Sequence, residues 1–299
     1  LSRQEEIEYL EKHGVDFPWS KAKYSINKGI WGTSVGGVET LNSHQALPES
    51  AYPSQLEKTE LTDIKLHFEK GQIVGLNDEM DTPVNTILKL EAIASKYAIG
   101  RDIHVGDTIV GIKGRVGFEA AAAVVTIKAH HLLEKHVLSK WQQNLKEQLA
   151  SWYGMLFHDG QYFEPVMRNI EAFLEDSQKT VTGDVYVTLR PYHFMVTGIN
   201  SEFDLMGSGF ADYGEENNAW SAEDAKGFIK ILGSKYSPDM LELQEPFMQL
   251  LTNETDFDEF WNTYPSFIPP FNDKGAYVKL KNVNKESLAY KYKSYLAKF

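Results

Sequence analysis

The spacing of hydrophobic positions changes several times along this chain, and each change predicts a different element. Apolar residues at every second position predict a β-hairpin over residues 61–76 and a second hairpin that begins near residue 185. Spacings of three and four predict helices that begin near Ser2, Asp81 and Glu164. Because strands and helices do not alternate regularly, the predicted fold class is α+β: a mixed domain of β-hairpins and helices around one long helix, with an extended C-terminal tail.

Residues 107–131 form the stretch around which the pattern is organised. Residues 108–112 are largely β-branched and bounded by glycine, so they predict a buried strand. A glycine-rich turn with two cations is predicted next, formed by Gly111, Gly114, Gly117, Lys113 and Arg115. Such a turn is suited to holding an anion, although two solvated cations on an ordinary turn are the alternative interpretation.

The helical pattern that follows this turn runs from Glu119 to Leu149. Its apolar residues recur mostly every three or four positions, so one long helix is predicted, with Glu119 in its first turn.

The segment from residue 17 to about residue 54 is predicted to be irregular. Within it, Ser25 and Ser34 flank a bend and offer two hydroxyls to a small polar ligand, or else make local turns.

Composition and charge narrow the possible functions. The 299 residues are 42% hydrophobic, enough for a substantial core, and the net charge is −12. That charge argues against nucleic acid as a partner, since sequence-independent phosphate binding needs a basic excess. The absence of cysteine excludes disulfides, thiolate zinc sites and cysteine nucleophiles, and is compatible with a cytoplasmic protein. No apolar run approaches the ~20 residues of a membrane span, so no membrane is expected as a partner.

The search for further catalytic patterns yields little. The nine histidines lack the spacing of a helical metal site, so no metal is predicted, and no Gly-x-Ser-x-Gly segment anchors a hydrolytic triad. The many carboxylates are interpreted as solvated charge. Because the chain starts without methionine, directly in a charged helix, it is expected to begin inside a longer protein.

Six short segments carry a resemblance to a known family. They are GIKGRVGFE (111–119), YSINKGIWGTS (24–34), IGR (99–101), AH (129–130), QKTVTG (178–183) and DAKGFIK (224–230). In their order along the chain, over residues 1–231, they resemble a divergent variant of the argininosuccinate synthase family. The corresponding part of the family is the C-terminal synthetase and multimerisation half. On this basis residues 1–233 are predicted to form that domain, and the aromatic-rich residues 234–299 an arm or a small appended module.

The resemblance implies a function for the complete protein. Family members adenylate citrulline with ATP, and aspartate then displaces AMP, giving argininosuccinate, AMP and pyrophosphate in arginine biosynthesis. ATP, with Mg, is expected to bind mainly to an N-terminal nucleotide-binding α/β domain with a Ser-Gly-Gly-x-Asp-x-Ser loop, which this sequence lacks. The resemblance also implies a cytoplasmic homotetramer with citrulline and aspartate as substrates. This chain alone is expected to be inactive.

Residue roles follow from the same resemblance. Ser25 and Ser34 match the serines that hold the amino-acid end of citrulline, while the central turn is expected to place Lys113, Arg115 and Glu119 at the pocket as possible anion or pocket contacts. Two pocket positions depart from the family, since a glutamate is replaced by Gly106 and a tyrosine by Phe118.

In the family, that glutamate pairs with the charged α-amino group of the substrate. Its loss leaves open which residue binds this group here. Either Glu119 or Asp107 substitutes, or the amine is bound from elsewhere, or the substrate is an N-acylated citrulline that carries no charge there. Two alternative functions also remain: a non-catalytic oligomerisation or citrulline-binding module that kept the fold without the ATP site, and an unrelated small-molecule binder.

Overall fold

The computed structural model describes residues 3–16, 24–207 and 220–233. The chain divides into two compact units, Leu1–Ser208 and Gly209–Phe299. In the second unit the described residues are 220–233. The predicted tail, residues 234–299, lies outside the described residues.

The described residues form helices and strands in a mixed order, which confirms the predicted α+β class. The helices are α1 (Arg3–Lys12), α2 (Pro83–Ala94), α3 (Ala121–Val137), α4 (Lys140–His158), α5 (Pro165–Ser177) and α6 (Ala222–Gly233). The strands are β1 (Ser25–Gly29), β2 (Gly32–Gly36), β3 (Thr62–Glu69), β4 (Gln72–Leu76), β5 (Glu79–Met80), β6 (Arg101–Asp107), β7 (Lys113–Glu119), β8 (Gly183–Arg190) and β9 (His193–Asn200). They assemble into two antiparallel sheets.

The larger sheet has five strands in the order β5-β4-β3-β8-β9. Both predicted hairpins lie here, and the first turns at Lys70 and Gly71, which both have positive φ. One face of the sheet is apolar in alternate positions, as the period of two predicts. That face packs against α2 and α3 to form the main core, with Leu66, Leu90 and Leu133 fully buried.

The smaller sheet has four strands in the order β1-β2-β7-β6. Its first hairpin lies within the segment that was predicted to be irregular, so that prediction is wrong for residues 25–36. The two strands, SINKG and GTSVG, hold only Ile26 and Val35 as large apolar residues. With so few apolar positions, the alternation of apolar and polar residues that marks a strand is not visible in the sequence, although one face of β2 is buried.

The predicted buried strand over residues 108–112 is also wrong. These residues form the turn between β6 and β7, in which Gly111 has a φ of 79° and Thr108 accepts the Gly111 N–H through its carbonyl. Ile109 and Val110 are 70% and 78% exposed. The strands lie on either side of this apolar run, because the positive φ of Gly111 and the Thr108 hydrogen bonds close a hairpin turn there.

The predicted long helix is divided in two. The chain is extended at Leu138, and Ser139 starts α4 with a capping box in which its side chain accepts the Gln142 N–H. The helix α3 is the buried central helix, whereas α4 has no buried residue. Glu119 does not lie in a first helical turn, because it ends β7.

Candidate substrate-binding face of the smaller sheet

Strand pairing sorts the predicted site residues onto two faces of the smaller sheet. Ser34 pairs with Phe118, and Phe118 pairs with Asp102, so these three residues form one row across β2, β7 and β6. Directly paired residues share a face, and neighbours along a strand alternate between faces. Asn27 pairs with Ser34 and so belongs to the same row, and Ser25 lies two residues from Asn27 along β1. Ser25 therefore shares this face, which we call the open face.

The open face is polar and accessible. Ser25, Asn27 and Asp102 are exposed, while Ser34 and Phe118 are partly exposed. The Asn27 side-chain amide donates a hydrogen bond to Ser34 Oγ at 3.4 Å, which links β1 to β2 through their side chains. The structure thus brings both predicted serines to one surface, together with Phe118.

Gly106 lies on the same face, at the far end of β6. A Cβ atom at this position would lie 2.8 Å from Nε2 of His104, because the imidazole extends over the glycine. Residues two apart on a strand share a face, so His104 belongs to the open face as well. The His104 ring occupies the space that a side chain at position 106 would fill.

The ring of Phe118 lies over a second glycine. A Cβ atom on Gly32 would lie 2.5 Å from Cε1 of Phe118, and Gly32 has a φ of 151°, which side chains rarely adopt. The Phe118 ring therefore leans out of the row, toward Gly32 at the start of β2. The Phe118 ring leans toward the start of β2, and the His104 ring leans toward the end of β6, which is the opposite end of the open face. Asp102 and Ser34 lie between the two rings.

The opposite face carries the predicted cations and Glu119, and it is covered by residues 37–54. Arg115 holds this segment through its guanidinium, which donates to the carbonyl oxygens of Glu39, Asn42 and Gln45 at 3.0, 2.6 and 2.7 Å. A cation that is hydrogen-bonded to three carbonyls is engaged in holding the chain. The prediction of a glycine-rich turn that carries Lys113 and Arg115 is wrong, since both residues lie within β7, together with Gly114 and Gly117.

Arg101 and Glu119 form a buried ion pair on this opposite face. Their side chains are 9% and 3% exposed, and Arg101 Nε lies 3.4 Å from Glu119 Oε2. The guanidinium also contacts Glu49 and the Ser54 carbonyl, and it lies 4.6 Å from the centre of the Tyr52 ring. Burial raises the pKa of the Tyr52 hydroxyl, and the Arg101 charge opposes that rise. Glu119 is thus directed away from the open face.

Lys113 pairs with its direct neighbour across the strands, Asp107, at 2.6 Å. Both side chains are exposed, and their register places them on the same side as Arg115 and Glu119. Lys113, Arg115 and Glu119 therefore do not converge with the two serines. Ligand contact by these three residues stays a prediction, and no contact in the described residues supports it.

Sequence reasoning missed three polar residues of the open face: Asn27, Asp102 and His104. Their signal was available once the strands were known, because each lies two or four positions along a strand from a predicted site residue, or directly across from one. The sequence hides them because β1 holds too few apolar residues to predict a strand, and because the predicted strand, residues 108–112, begins only after β6 has ended.

The segment GTSVGG, residues 32–37, is the nearest resemblance to a pyrophosphate-binding loop, but its residues 32–36 form β2 and pair with β1 and β7. Backbone N–H groups of a paired strand do not cradle a phosphate, so the segment does not fit ATP.

Over residues 3–16, 24–207 and 220–233 no group of three His, Asp or Glu side chains is placed to hold a metal ion. No helix in these ranges has the length and apolarity needed to cross a membrane.

Comparison with known proteins relates this architecture to one family. A family model described as the Arginosuccinate synthase C-terminal domain matches residues 24–237. An argininosuccinate synthase of Dictyoglomus thermophilum is 38% identical over 235 residues, which are 78% of this chain and 59% of that relative. Enzymes of the same name from Pyrococcus furiosus and Methanocaldococcus jannaschii are 36% and 34% identical over 78% of this chain.

The matched region covers only part of each relative. The chain spans 57–59% of the length of these three curated relatives. The family model and the relatives confirm the resemblance that the six sequence segments predicted. The chain belongs to the argininosuccinate synthase family, and it corresponds to the C-terminal part of the family's members.

Proposed function

We propose that this chain supplies the citrulline-binding part of a ligase that joins citrulline, or an N-acylated citrulline, to aspartate at the expense of ATP. The products are argininosuccinate, AMP and pyrophosphate, in agreement with the family's role in arginine biosynthesis. The observation that carries the proposal is the convergence of Ser25, Asn27, Ser34 and Phe118 on one accessible face of an ordered sheet. Hydroxyl and amide groups fixed on paired strands can orient a small polar amino acid.

The described residues do no more than bind and orient in this proposal. Adenylation converts the ureido oxygen of citrulline into a good leaving group, and the remaining catalysis is orientation of reactants and stabilisation of charge. Since residues 32–36 form a paired strand, no residue of this segment is proposed to bind ATP or Mg. The ATP site is assigned to an N-terminal nucleotide-binding domain of the complete protein, and the complete protein to the cytoplasm.

The proposal is tested by replacing Ser34. In the complete natural protein, formation of AMP and pyrophosphate is expected to require both citrulline and aspartate. Ser34→Ala is expected to raise the KM for citrulline about 3- to 10-fold, because one hydrogen bond to the substrate is lost. The KM values for ATP and aspartate are expected to stay unchanged.

Thr188→Ala serves as the control, because Thr188 lies on the larger sheet and is partly buried like Ser34. Unchanged citrulline kinetics in Ser34→Ala, or equal effects of the two substitutions, would contradict the placement of citrulline on the open face. Absence of citrulline-dependent AMP formation in the wild type would contradict the ligase itself.

We also propose that the complete protein is a homotetramer in which α4 contacts another copy. The supporting observation is an apolar stripe on α4, where Trp141, Leu145 and Trp152 are 75%, 45% and 60% exposed at helical spacing. Exposed large apolar residues at this spacing are typical of interaction surfaces. The partner is a second copy of this chain, and the proposal rests on the family resemblance.

Light scattering coupled to gel filtration tests this interface. Trp152→Lys is expected to lower the molar mass below that of a tetramer, because it places a charge in the centre of the apolar stripe. Ser151→Lys adds the same charge at an exposed neighbouring position outside the stripe and is expected to leave the molar mass unchanged. A tetramer that survives Trp152→Lys would show that α4 is not at the interface.

A further inference from the structure

The row across the smaller sheet places one carboxylate on the open face. Asp102 shares its row with Phe118 and Ser34, and its side chain is exposed. Its Oδ1 accepts the Ile103 N–H at 2.7 Å, and among the residues that the structure describes it takes part in no salt bridge. Asp102 thus has a negative charge that is available to a ligand on the same side as the serines.

The other carboxylates of β6 and β7 are directed elsewhere. Glu119 is buried on the opposite face, where it pairs with Arg101 and accepts the Ser54 N–H. Asp107 is at the hairpin tip and pairs with Lys113 at 2.6 Å. Neither can neutralise a cation beside Ser34 without leaving its present partner, so the two substitutes expected from the sequence do not fit.

The geometry points to Asp102 as the carboxylate that binds the α-ammonium group of the substrate, so the site takes citrulline with a free amino group in preference to an N-acylated form. This inference rests on the proposed function. Neighbouring strands lie about 4.8 Å apart, so the Cα atoms of Ser34 and Asp102, two strands apart, are separated by ~9.6 Å. Between these two short side chains the row holds Phe118, whose ring leans toward Gly32, so a gap remains for one small polar group.

The side chains around this gap leave it accessible. The Phe118 ring leans over Gly32, and the His104 ring lies over Gly106, so both rings are displaced from the middle of the row. An ammonium nitrogen between Ser34 and Asp102 would donate one hydrogen bond to the hydroxyl oxygen and one to the carboxylate. An acylated nitrogen has a single N–H and no charge, so it would leave the carboxylate unneutralised.

The test compares two substrates in the complete natural protein. With ATP and aspartate saturating, AMP formation is measured while citrulline or N-acetylcitrulline is varied. The wild type is expected to show a kcat/KM at least about 10-fold higher for citrulline. Asp102→Asn is expected to raise the KM for citrulline about 10- to 100-fold, because a charge-assisted hydrogen bond is lost, and to remove most of the discrimination.

Asp107→Asn is the matched control, since it removes the same charge from the same strand on the opposite face. It is expected to leave both KM values unchanged. The inference is overturned if N-acetylcitrulline is the better substrate, or if Asp102→Asn and Asp107→Asn behave alike. In either case citrulline chemistry persists and the proposed function stands. If neither compound supports AMP formation, the proposed function fails together with the inference.

Discussion

Arg101→Leu is expected to lower the free energy of unfolding by about 3–5 kcal/mol. Arg101 neutralises Glu119, whose side chain is 3% exposed, and without it Glu119 retains a hydrogen bond from the Ser54 N–H but no charge partner. A buried carboxylate left without its cation is strongly destabilising. The same substitution removes the contacts that hold Glu49 and Ser54 on the sheet, so residues 49–54 are expected to exchange amide hydrogens faster.

Lys113→Leu is the control for this effect. Lys113 belongs to the same sheet, but its pair with Asp107 is exposed to solvent. Exposed pairs contribute about 0–1 kcal/mol, so a change within that range is expected. Chemical unfolding of the two variants measures the difference directly. Equal losses of stability in both variants would show that the Arg101–Glu119 pair does not hold the sheet and segment together.

Gly100→Ala is expected to destabilise the protein by about 3 kcal/mol or more. Gly100 has a φ of 80°, and an added Cβ would lie 2.6 Å from the backbone carbon of Ala120 and 2.8 Å from the amide nitrogen of Ala121. These atoms join β7 to α3 and cannot move away as a side chain can. The substitution therefore combines backbone strain with a clash at the start of the central helix.

Gly111→Ala separates the two causes. Gly111 has nearly the same φ, 79°, but no atom lies within 4 Å of the added Cβ. It is expected to cost only the strain of a left-handed residue, about 1–2 kcal/mol. Thermal unfolding of both variants gives the comparison. A Gly100→Ala variant as stable as Gly111→Ala would contradict the close approach between Gly100 and Ala120.

The sequence predicted those elements whose signals are local and strong. The hairpin of β3 and β4 was predicted because its buried face alternates regularly and its turn holds Lys70 and Gly71. The start of α2 was predicted because Thr82 caps it and Pro83 follows, as the structure shows. In these segments local propensity and tertiary packing favour the same conformation.

The failed predictions fall where local propensity and tertiary structure disagree. Residues 108–112 have strand composition, but the positive φ of Gly111 turns the chain there. The helical spacing continues through Leu138, but Ser139 caps a new helix. In both cases a single turn or cap residue decided the boundary against an apolar pattern that extends across it.

The same disagreement between local sequence and tertiary structure explains why the sequence placed residues from both faces of the sheet in one site. Resemblance identified Ser25, Ser34 and Phe118, which do share a face. Lys113, Arg115 and Glu119 are close to Phe118 in sequence, yet alternation along β7 directs them to the other side. A sequence shows that residues are neighbours but not which face they occupy until the register is known. Asp102 and His104 became candidates only when β6 was seen to pair with β7.

The crystal structure of the complete protein with citrulline tests the central claim most directly. We expect the amino-acid end of citrulline on the open face, with its α-nitrogen within hydrogen-bonding distance of Ser34 and Asp102. The Arg101–Glu119 pair is expected to remain intact on the opposite face. Citrulline bound beside Lys113 or Arg115, or at a place remote from the smaller sheet, would contradict the account.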